Sequence, residues 1–184
     1  MEGIAKGMTH NHKPKKQQWI SQLATKNGAV LLRYAESLCK NRAWAEEAVQ
    51  ETFMKLMNEE SKKLTGRERP WLFRVCRSRV VDITRKENRM TSITDNKLDL
   101  EPDKGLDPSR LAEQKDSHKL LERLMSKLPE QQGEVLRLKY MAGMSYKQIS
   151  DVTSLSVTNV GFILHTALKT LRTEIKLNPE GGLK

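Results

Sequence analysis

The segment from Ser145 to Arg172 reads SYKQISDVTSLSVTNVGFILHTALKTLR. It predicts two short amphipathic helices joined by a tight turn. Ile149 and Val152 give the first helix an apolar face, and Ser156 is placed to cap the second helix with its hydroxyl. Apolar residues recur at helical spacing along the second helix, at Val160, Leu164, Ala167, Leu168 and Leu171. This pattern is typical of a helix-turn-helix.

The opposite face of the second helix is polar at its start, where it offers Ser156, Thr158 and Asn159. A helix that enters the major groove of DNA needs such a free first turn, because its first residues reach the base edges. The alternative is a hairpin of two helices whose polar face is only solvated. The pattern favours DNA binding over that alternative.

The charge of the chain is uneven. It carries 33 Lys and Arg against 23 Asp and Glu, a formal charge of +10. Residues 61–90 alone carry ten basic and three acidic residues, whereas residues 91–116 carry four and seven. A solvated basic face is the ordinary explanation of such a run. Its concentration beside aromatic residues favours a polyanionic partner.

Several classes of protein are excluded by composition. No segment has the roughly 20 apolar residues that span a bilayer, and the polar start of the chain does not resemble a secretion signal. We therefore expect a cytoplasmic protein with no membrane partner. Cys39 and Cys76 lack metal-ligand spacing and are expected to be buried free thiols. His10 and His12 alone do not make a site, so no metal and no cofactor are predicted.

The rest of the chain predicts an all-α protein of two small helical domains. Residues 1–17 are expected to be a disordered basic tail, and residues 18–90 a first domain. Its helices are predicted at 19–40, with a break at Asn27-Gly28, at 43–58, and from Pro70 to about Arg89, after a basic loop over Lys62–Arg69. Val49, Phe53 and Met57 are expected on the buried side of the second of these helices.

The second half begins after a break in the apolar pattern. Residues 91–112 are acidic and interrupted by Pro and Gly, so they predict a flexible linker. Residues 113–176 predict a second domain, with helices at 111–126 and from Leu128-Pro129 to about Gly143 before the helix-turn-helix. Residues 177–184 are expected to be a tail.

Three blocks in this order resemble the extracytoplasmic-function sigma factors, the two-domain initiation subunits of bacterial RNA polymerase. They are AEEAVQETFMKLM at 45–57, RPWLFRV at 69–75 with Val81-Asp82-Ile83, and LPEQQGEVL at 128–136 ahead of the helix-turn-helix. The resemblance covers roughly residues 19–175. It implies a protein that binds polymerase core, recognises a promoter and opens its strands.

The first block supplies an acidic face, because Glu47, Gln50 and Glu51 share one side of a helix. Acidic groups on a basic protein suit a basic protein partner better than DNA. By resemblance, this face binds the coiled coil of the polymerase β′ subunit. The partners implied by the family are the β′ and β subunits of core, promoter DNA and an anti-sigma factor. The family prefers Asp at the position of Glu47, and the charge is kept.

The second block supplies the surface implied to recognise and melt the −10 element. Its cations neutralise phosphates and its loop at 61–69 would hold a flipped base. Trp71 and Phe73 are expected to be core rather than stacking platforms. The family often has Asn at the position of Ser78. The −10 contacts predicted are Lys62, Lys63, Arg67, Arg69, Arg74, Arg77, Ser78 and Arg85.

The third block resembles the reader of the −35 element. The family often follows the position of Val160 with Lys, Ser and Arg, where this chain has Gly161, Phe162 and Ile163. We expect Phe162 to be core, and Gly161 to allow close approach of DNA or of a neighbouring helix. His165 is either a packing histidine or a phosphate contact. The −35 contacts predicted are Lys147, Ser156, Thr158, Asn159, His165, Lys169 and Arg172.

Two other classes of protein are an enzyme and a conventional transcription regulator. An enzyme is disfavoured, because the sequence has no phosphate-binding Gly loop, metal-ligand cluster or nucleophile with a base. A conventional helix-turn-helix regulator acting without polymerase is the stronger alternative. It needs a dimerisation surface or a ligand pocket, and residues 19–90 suggest neither. Binding to polymerase core in the absence of DNA separates the two interpretations.

Overall fold

The computed structural model describes residues 13–91, 124–125 and 127–177, and every regular element among them is helical. This confirms the predicted all-α class. The helices are α1 (Lys13–Cys39), α2 (Arg42–Asn58), α3 (Ser61–Leu64), α4 (Glu68–Thr91), α5 (Glu130–Leu136), α6 (Tyr146–Thr153) and α7 (Val157–Leu177), with a π-helical segment at Arg137–Met141.

The first domain packs α1, α2 and α4 against one another. Leu31, Leu56 and Leu72 lie in its core with no exposed surface. Tyr34 and Phe73 join them, with ring centroids 5.1 Å apart. The prediction that Phe73 belongs to the core is confirmed, and Trp71 is partly buried against the same core.

The second domain is built from α5, the π-helical segment, α6 and α7. Its core side chains include Val135, Leu138, Met144, Ile149 and Val160. The turn of the helix-turn-helix is made at Ser154, which adopts a left-handed φ of 61°. The predicted cap of the second helix is present, since the Ser156 hydroxyl accepts from Asn159 N at 3.2 Å. The first helix has a cap that was not predicted, in which the Ser145 hydroxyl accepts from Gln148 N.

The two domains pack directly against each other. Helix α4 of the first domain contacts α6, and α1 contacts the π-helical segment. The buried apolar side chains of both halves form one continuous cluster. The arrangement therefore brings the start of the helix-turn-helix onto the helix that carries the basic run of the first domain.

Four details differ from the sequence expectations. Helix α1 has no break at Asn27-Gly28, because the Asn27 amide donates to the Leu23 carbonyl at 3.0 Å within the helix. Helix α1 starts at Lys13, inside the predicted tail. The basic loop contains the short helix α3. Met57 is 59 % exposed, and Thr52 fills the inner face of α2 by donating to the Ala48 carbonyl.

The remaining predictions for the connecting and terminal segments lie outside the described residues. They concern residues 1–12, 92–123 and 178–184, which include nearly all of the predicted linker and helix 111–126.

Candidate nucleic-acid interface

The acidic face of α2 is present, but its three residues differ in exposure and in ion pairing. Glu47 and Gln50 are exposed. Glu51 is ion-paired with Arg79 of α4, and only 30 % of its side chain is exposed. Arg79 also lies 3.7 Å from Asp82. Of the three residues predicted to bind polymerase core, Glu51 is therefore the least available, since a cation of the neighbouring helix pairs with it.

Six of the eight predicted −10 contacts lie at the surface. Lys62, Lys63 and Arg67 surround the turn at Gly66, whose φ of +78° is in the region that favours glycine. Lys63 makes one exposed ion pair, to Glu60 at 3.0 Å. The other three are on the outer side of α4: Arg74, Ser78 and Arg85. A cationic loop and a polar helix face are thus continuous on one domain.

Arg69 and Arg77, the other two predicted −10 contacts, are engaged elsewhere. The Arg69 guanidinium lies 5.9 Å from the centre of the Phe73 ring and donates to the backbone carbonyl of Ala142 in the second domain. Arg77 donates from Nε to Glu134 Oε1 at 2.5 Å. In this structure both side chains contact the second domain, and 40 % of the Arg77 side chain stays exposed.

Glu134 is the centre of this contact. It is 5 % exposed, and its Oε1 accepts hydrogen bonds from the Tyr34 hydroxyl at 2.9 Å and from Arg77. Burial, followed by the nearby Glu134 carboxylate, raises the pKa of Tyr34 well above its usual value. The hydrogen bond to Glu134 raises the pKa of Arg77. A buried carboxylate is tolerated here because both neighbours satisfy it.

Sequence reasoning missed Glu134 and Tyr34 as functional candidates. Glu134 stands next to the apolar pair Val135-Leu136, and Tyr34 is 100 residues away in the chain. A glutamate beside buried apolar residues was the only sequence signal. It does not identify a partner in another domain.

The predicted −35 residues all lie on the surface of the helix-turn-helix. Exposed side chains are those of Lys147, Ser156, Thr158, Asn159, His165, Lys169 and Arg172. The exposure of His165 rules out a core packing role. Phe162 was expected in the core and is instead 69 % exposed. The inner face is filled without it by Val160, Ile163, Leu164 and Ala167.

Gly161 faces the first helix of the motif. A Cβ at this position would lie 3.5 Å from Cε2 of Tyr146, an ordinary contact distance. The neighbouring helix therefore does not require a glycine here. The Tyr146 ring is covered on another side by the Lys139 ammonium, 5.3 Å from its centre.

Other kinds of site are not supported by the residues that the structure describes. No group of three or more His, Cys, Asp or Glu is placed to hold a metal ion there. Within the same ranges no helix is long and apolar enough to cross a membrane. Cys76 is buried, which raises the pKa of its thiol to about 12, whereas Cys39 is only partly buried.

Comparisons with known proteins match each half of the chain to a known family. Residues 23–90 match the family model for Sigma-70 region 2, and residues 118–171 match Sigma-70 region 4. The chain is 30 % identical over 141 residues to the ECF RNA polymerase sigma factor SigM of Bacillus subtilis (strain 168). That match spans 76 % of this chain and 85 % of SigM.

Two solved structures share the fold, each with a TM-score of 0.62 over 88 % of this chain. One is CnrH in complex with the cytosolic domain of CnrY, at 21 % identity and 90 % of that chain. The other is the sigma factor RpoE in complex with the anti-sigma factor NepR from Bartonella quintana, at 18 % identity and 99 % of that chain.

The family assignment rests on two regions found in one chain. The first carries an acidic and a basic surface, and the second carries a helix-turn-helix. A conventional regulator acting without polymerase is not favoured, because both matched regions are those of sigma factors. The chain therefore belongs to the extracytoplasmic-function (ECF) sigma factors, the RNA polymerase subunits that direct promoter recognition and initiation.

Proposed function

We propose that three surfaces divide the work of initiation. The acidic face of α2 binds polymerase core, the loop before α4 and the outer side of α4 hold the −10 element, and α7 reads the −35 element. The supporting observation is their separation: acidic groups project from α2, whereas the cations are gathered at the α3–α4 turn and along α4. The protein contributes binding and no catalysis of its own, and it acts in the cytoplasm with the polymerase.

The core-binding surface centres on Glu47 and Gln50. Both are exposed and neighbours at i, i+3 on α2. Met54 and Met57, 57 % and 59 % exposed, extend it with apolar area of a kind enriched at protein interfaces. Glu51 contributes less to core binding, because it is ion-paired with Arg79. By resemblance, the partner is the β′ coiled coil.

The −10 surface must hold a strand once it has been separated from its complement. Breaking base-pair stacking costs on the order of 1.4 kcal/mol per step, and a cationic channel offsets part of that cost. Lys62, Lys63 and Arg67 are exposed around the Gly66 turn for this purpose, and of these Lys63 also pairs with Glu60. Arg69 and Arg77 join them only after the second domain has moved away.

The −35 surface is the exposed face of α7. Thr158 and Asn159 lie in its first turn, where side chains reach base edges, and Ser156 caps that turn. Lys147, Lys169 and Arg172 flank the face and bind phosphates, which adds affinity without sequence choice. Asn159 is able to pair in a bidentate way with adenine.

An anti-sigma factor completes the set of proposed partners. The two structures of shared fold are both complexes, CnrH with the cytosolic domain of CnrY and RpoE with NepR. We expect an anti-sigma factor to bind this chain and to compete with polymerase core for it.

The core-binding assignment is tested by titrating labelled full-length protein with RNA polymerase core in the absence of DNA. Glu47→Lys combined with Gln50→Lys should weaken binding at least tenfold, about 1.4 kcal/mol, because both side chains are exposed and face a basic partner. The matched control is Asp151→Lys, an acidic-to-basic change at an exposed position of α6. Equal affinity of the double variant and the wild type would overturn the assignment.

A further inference from the structure

The recognition helix presents an apolar side chain in the middle of its free face. Phe162 is 69 % exposed, and Asn159 and His165 lie one turn away from it on either side. Among large apolar residues of the described ranges, only Leu177 is more exposed, at 70 %, and it ends the helix. Phe162 instead lies in the second turn, within the part of a recognition helix that meets bases.

The phenyl ring has no packing role that explains its position. The inner face of α7 is complete, with Val160 fully buried and Leu164 and Ile163 below 8 % exposed. A ring held out by a rigid, capped helix is available to a partner.

The charge of the same face limits which bases it reads. Residues 157–168 contain no Lys or Arg, and the first cation of α7 is Lys169. At 1.5 Å per residue, Lys169 lies about 18 Å along the helix from Val157. The commonest guanine contact, a bidentate Arg or Lys to O6 and N7, is therefore missing from the reading face.

Two of the side chains that remain on the face, Asn159 and Phe162, match A·T pairs. An asparagine amide pairs with adenine N6 and N7, and an apolar ring contacts the C5-methyl group of thymine. We propose that Phe162 is a specificity-determining residue that contacts a thymine methyl group in the −35 element, and that this factor selects A·T pairs at the centre of that element. The inference rests on the proposed role of α7 as the −35 reader.

A selection experiment identifies the sequence that the helix reads. Holoenzyme assembled from bacterial RNA polymerase core and the full-length chain is presented with promoter duplexes randomised across the −35 region, and bound duplexes are sequenced. The wild type should select at least one fixed thymine, on either strand. Phe162→Ala should lose that preference, and Phe162→Leu should keep part of it.

A chemical substitution then isolates the methyl group. Each thymine of the selected element is replaced by deoxyuridine, which removes only the C5-methyl. At one position wild-type initiation should fall about fourfold, the value of one buried methyl-sized group. Phe162→Ala should show no loss there, whereas the control Ile175→Ala, another exposed apolar change on α7, should behave as the wild type.

The outcomes distinguish this inference from the proposed function. If the wild type and Phe162→Ala select the same −35 sequence, or lose activity equally at every deoxyuridine, Phe162 does not read thymine. If the wild type selects no −35 sequence at all, α7 is not the −35 reader and the proposed function itself fails at this element.

Discussion

At the scale of single residues, Glu134 is the most consequential side chain of the interface between the domains. A buried carboxylate destabilises a fold unless its charge and lone pairs are satisfied. Here one oxygen accepts from both Tyr34 and Arg77, which belong to α1 and α4, while Glu134 itself belongs to α5. Three helices from two domains are thus tied together at one atom.

Removing one donor gives a direct test of this network. Tyr34→Phe keeps the ring packing against Phe73 and deletes only the hydroxyl. The free energy of unfolding should fall by about 1.5–3 kcal/mol, the value of a hydrogen bond to a charged group. Urea unfolding followed by circular dichroism measures it, with Tyr140→Phe, a tyrosine 63 % exposed, as the control. Equal losses in both variants would show that the Glu134 hydrogen bond adds nothing.

Burial of Cys76 predicts alkaline destabilisation. In the unfolded chain this thiol ionises near its ordinary pKa, whereas in the folded protein its pKa is about 12. Between these values the unfolded state has lost a proton that the folded state keeps, so the free energy of unfolding should fall as pH rises above about 9. Cys76→Ala should reduce that slope when urea midpoints are compared between pH 8 and pH 10. An unchanged slope would contradict the burial of the thiol.

At the scale of elements, the sequence predicts most helices because their signals are local. Pro70 in the first turn of α4 and the Ser156 cap of α7 act within one turn of the chain, and both are found. The predicted break at Asn27-Gly28 fails because the Asn27 side chain is satisfied by its own helix, four residues back. Six of the eight predicted −10 residues are exposed, because a polar side chain on the outer side of α4 or in the loop before it reaches solvent. Composition does not reveal that Arg69 and Arg77 face a second domain, since that depends on tertiary packing.

One residue of the recognition helix, Gly161, is expected to lower the stability of the protein. Gly161 lies within α7, where glycine costs about 1 kcal/mol relative to alanine. A Cβ there would make only an ordinary contact, 3.5 Å from Tyr146. Gly161→Ala should therefore raise the free energy of unfolding by up to about 1 kcal/mol.

A second glycine supplies the matched comparison. Gly143 has open space around it but a φ of +62°, which L-residues adopt at a cost of about 1 kcal/mol. Gly143→Ala should therefore lower the free energy of unfolding. The measurement is the urea unfolding midpoint of each variant compared with that of the wild type. A lower midpoint for Gly161→Ala would contradict the expected gain in α7, and a higher midpoint for Gly143→Ala would contradict the cost expected at its positive φ.

At the scale of the whole molecule, the packed arrangement conflicts with the spacing of promoter elements. Sites centred near −35 and −10 are about 85 Å apart along B-form DNA at 3.4 Å per base pair. A compact chain of this length has a radius of gyration of only about 16 Å. The proposed function therefore requires the two domains to separate before both elements are bound, and we expect this step to release Arg69 and Arg77 from the second domain.

Loosening the contact should make separation easier. Glu134→Ala removes the acceptor shared by Tyr34 and Arg77, so the radius of gyration from small-angle X-ray scattering should increase while helical content is retained. Glu130→Ala, an exposed glutamate one turn earlier on α5, is the control and should leave the radius unchanged. An unchanged radius for Glu134→Ala would mean that apolar packing and the Arg69–Ala142 hydrogen bond hold the domains without Glu134.

The central claim is that this chain gives RNA polymerase core its promoter specificity. The most direct measurement is transcription in vitro from a mixture of promoter fragments by core alone, by the chain alone and by the two together. Transcripts with defined start sites should arise only from the combination, and Glu47→Lys with Gln50→Lys should abolish them. Promoter-sized duplexes bound tightly by the chain alone, with no defined transcripts when core is added, would contradict it.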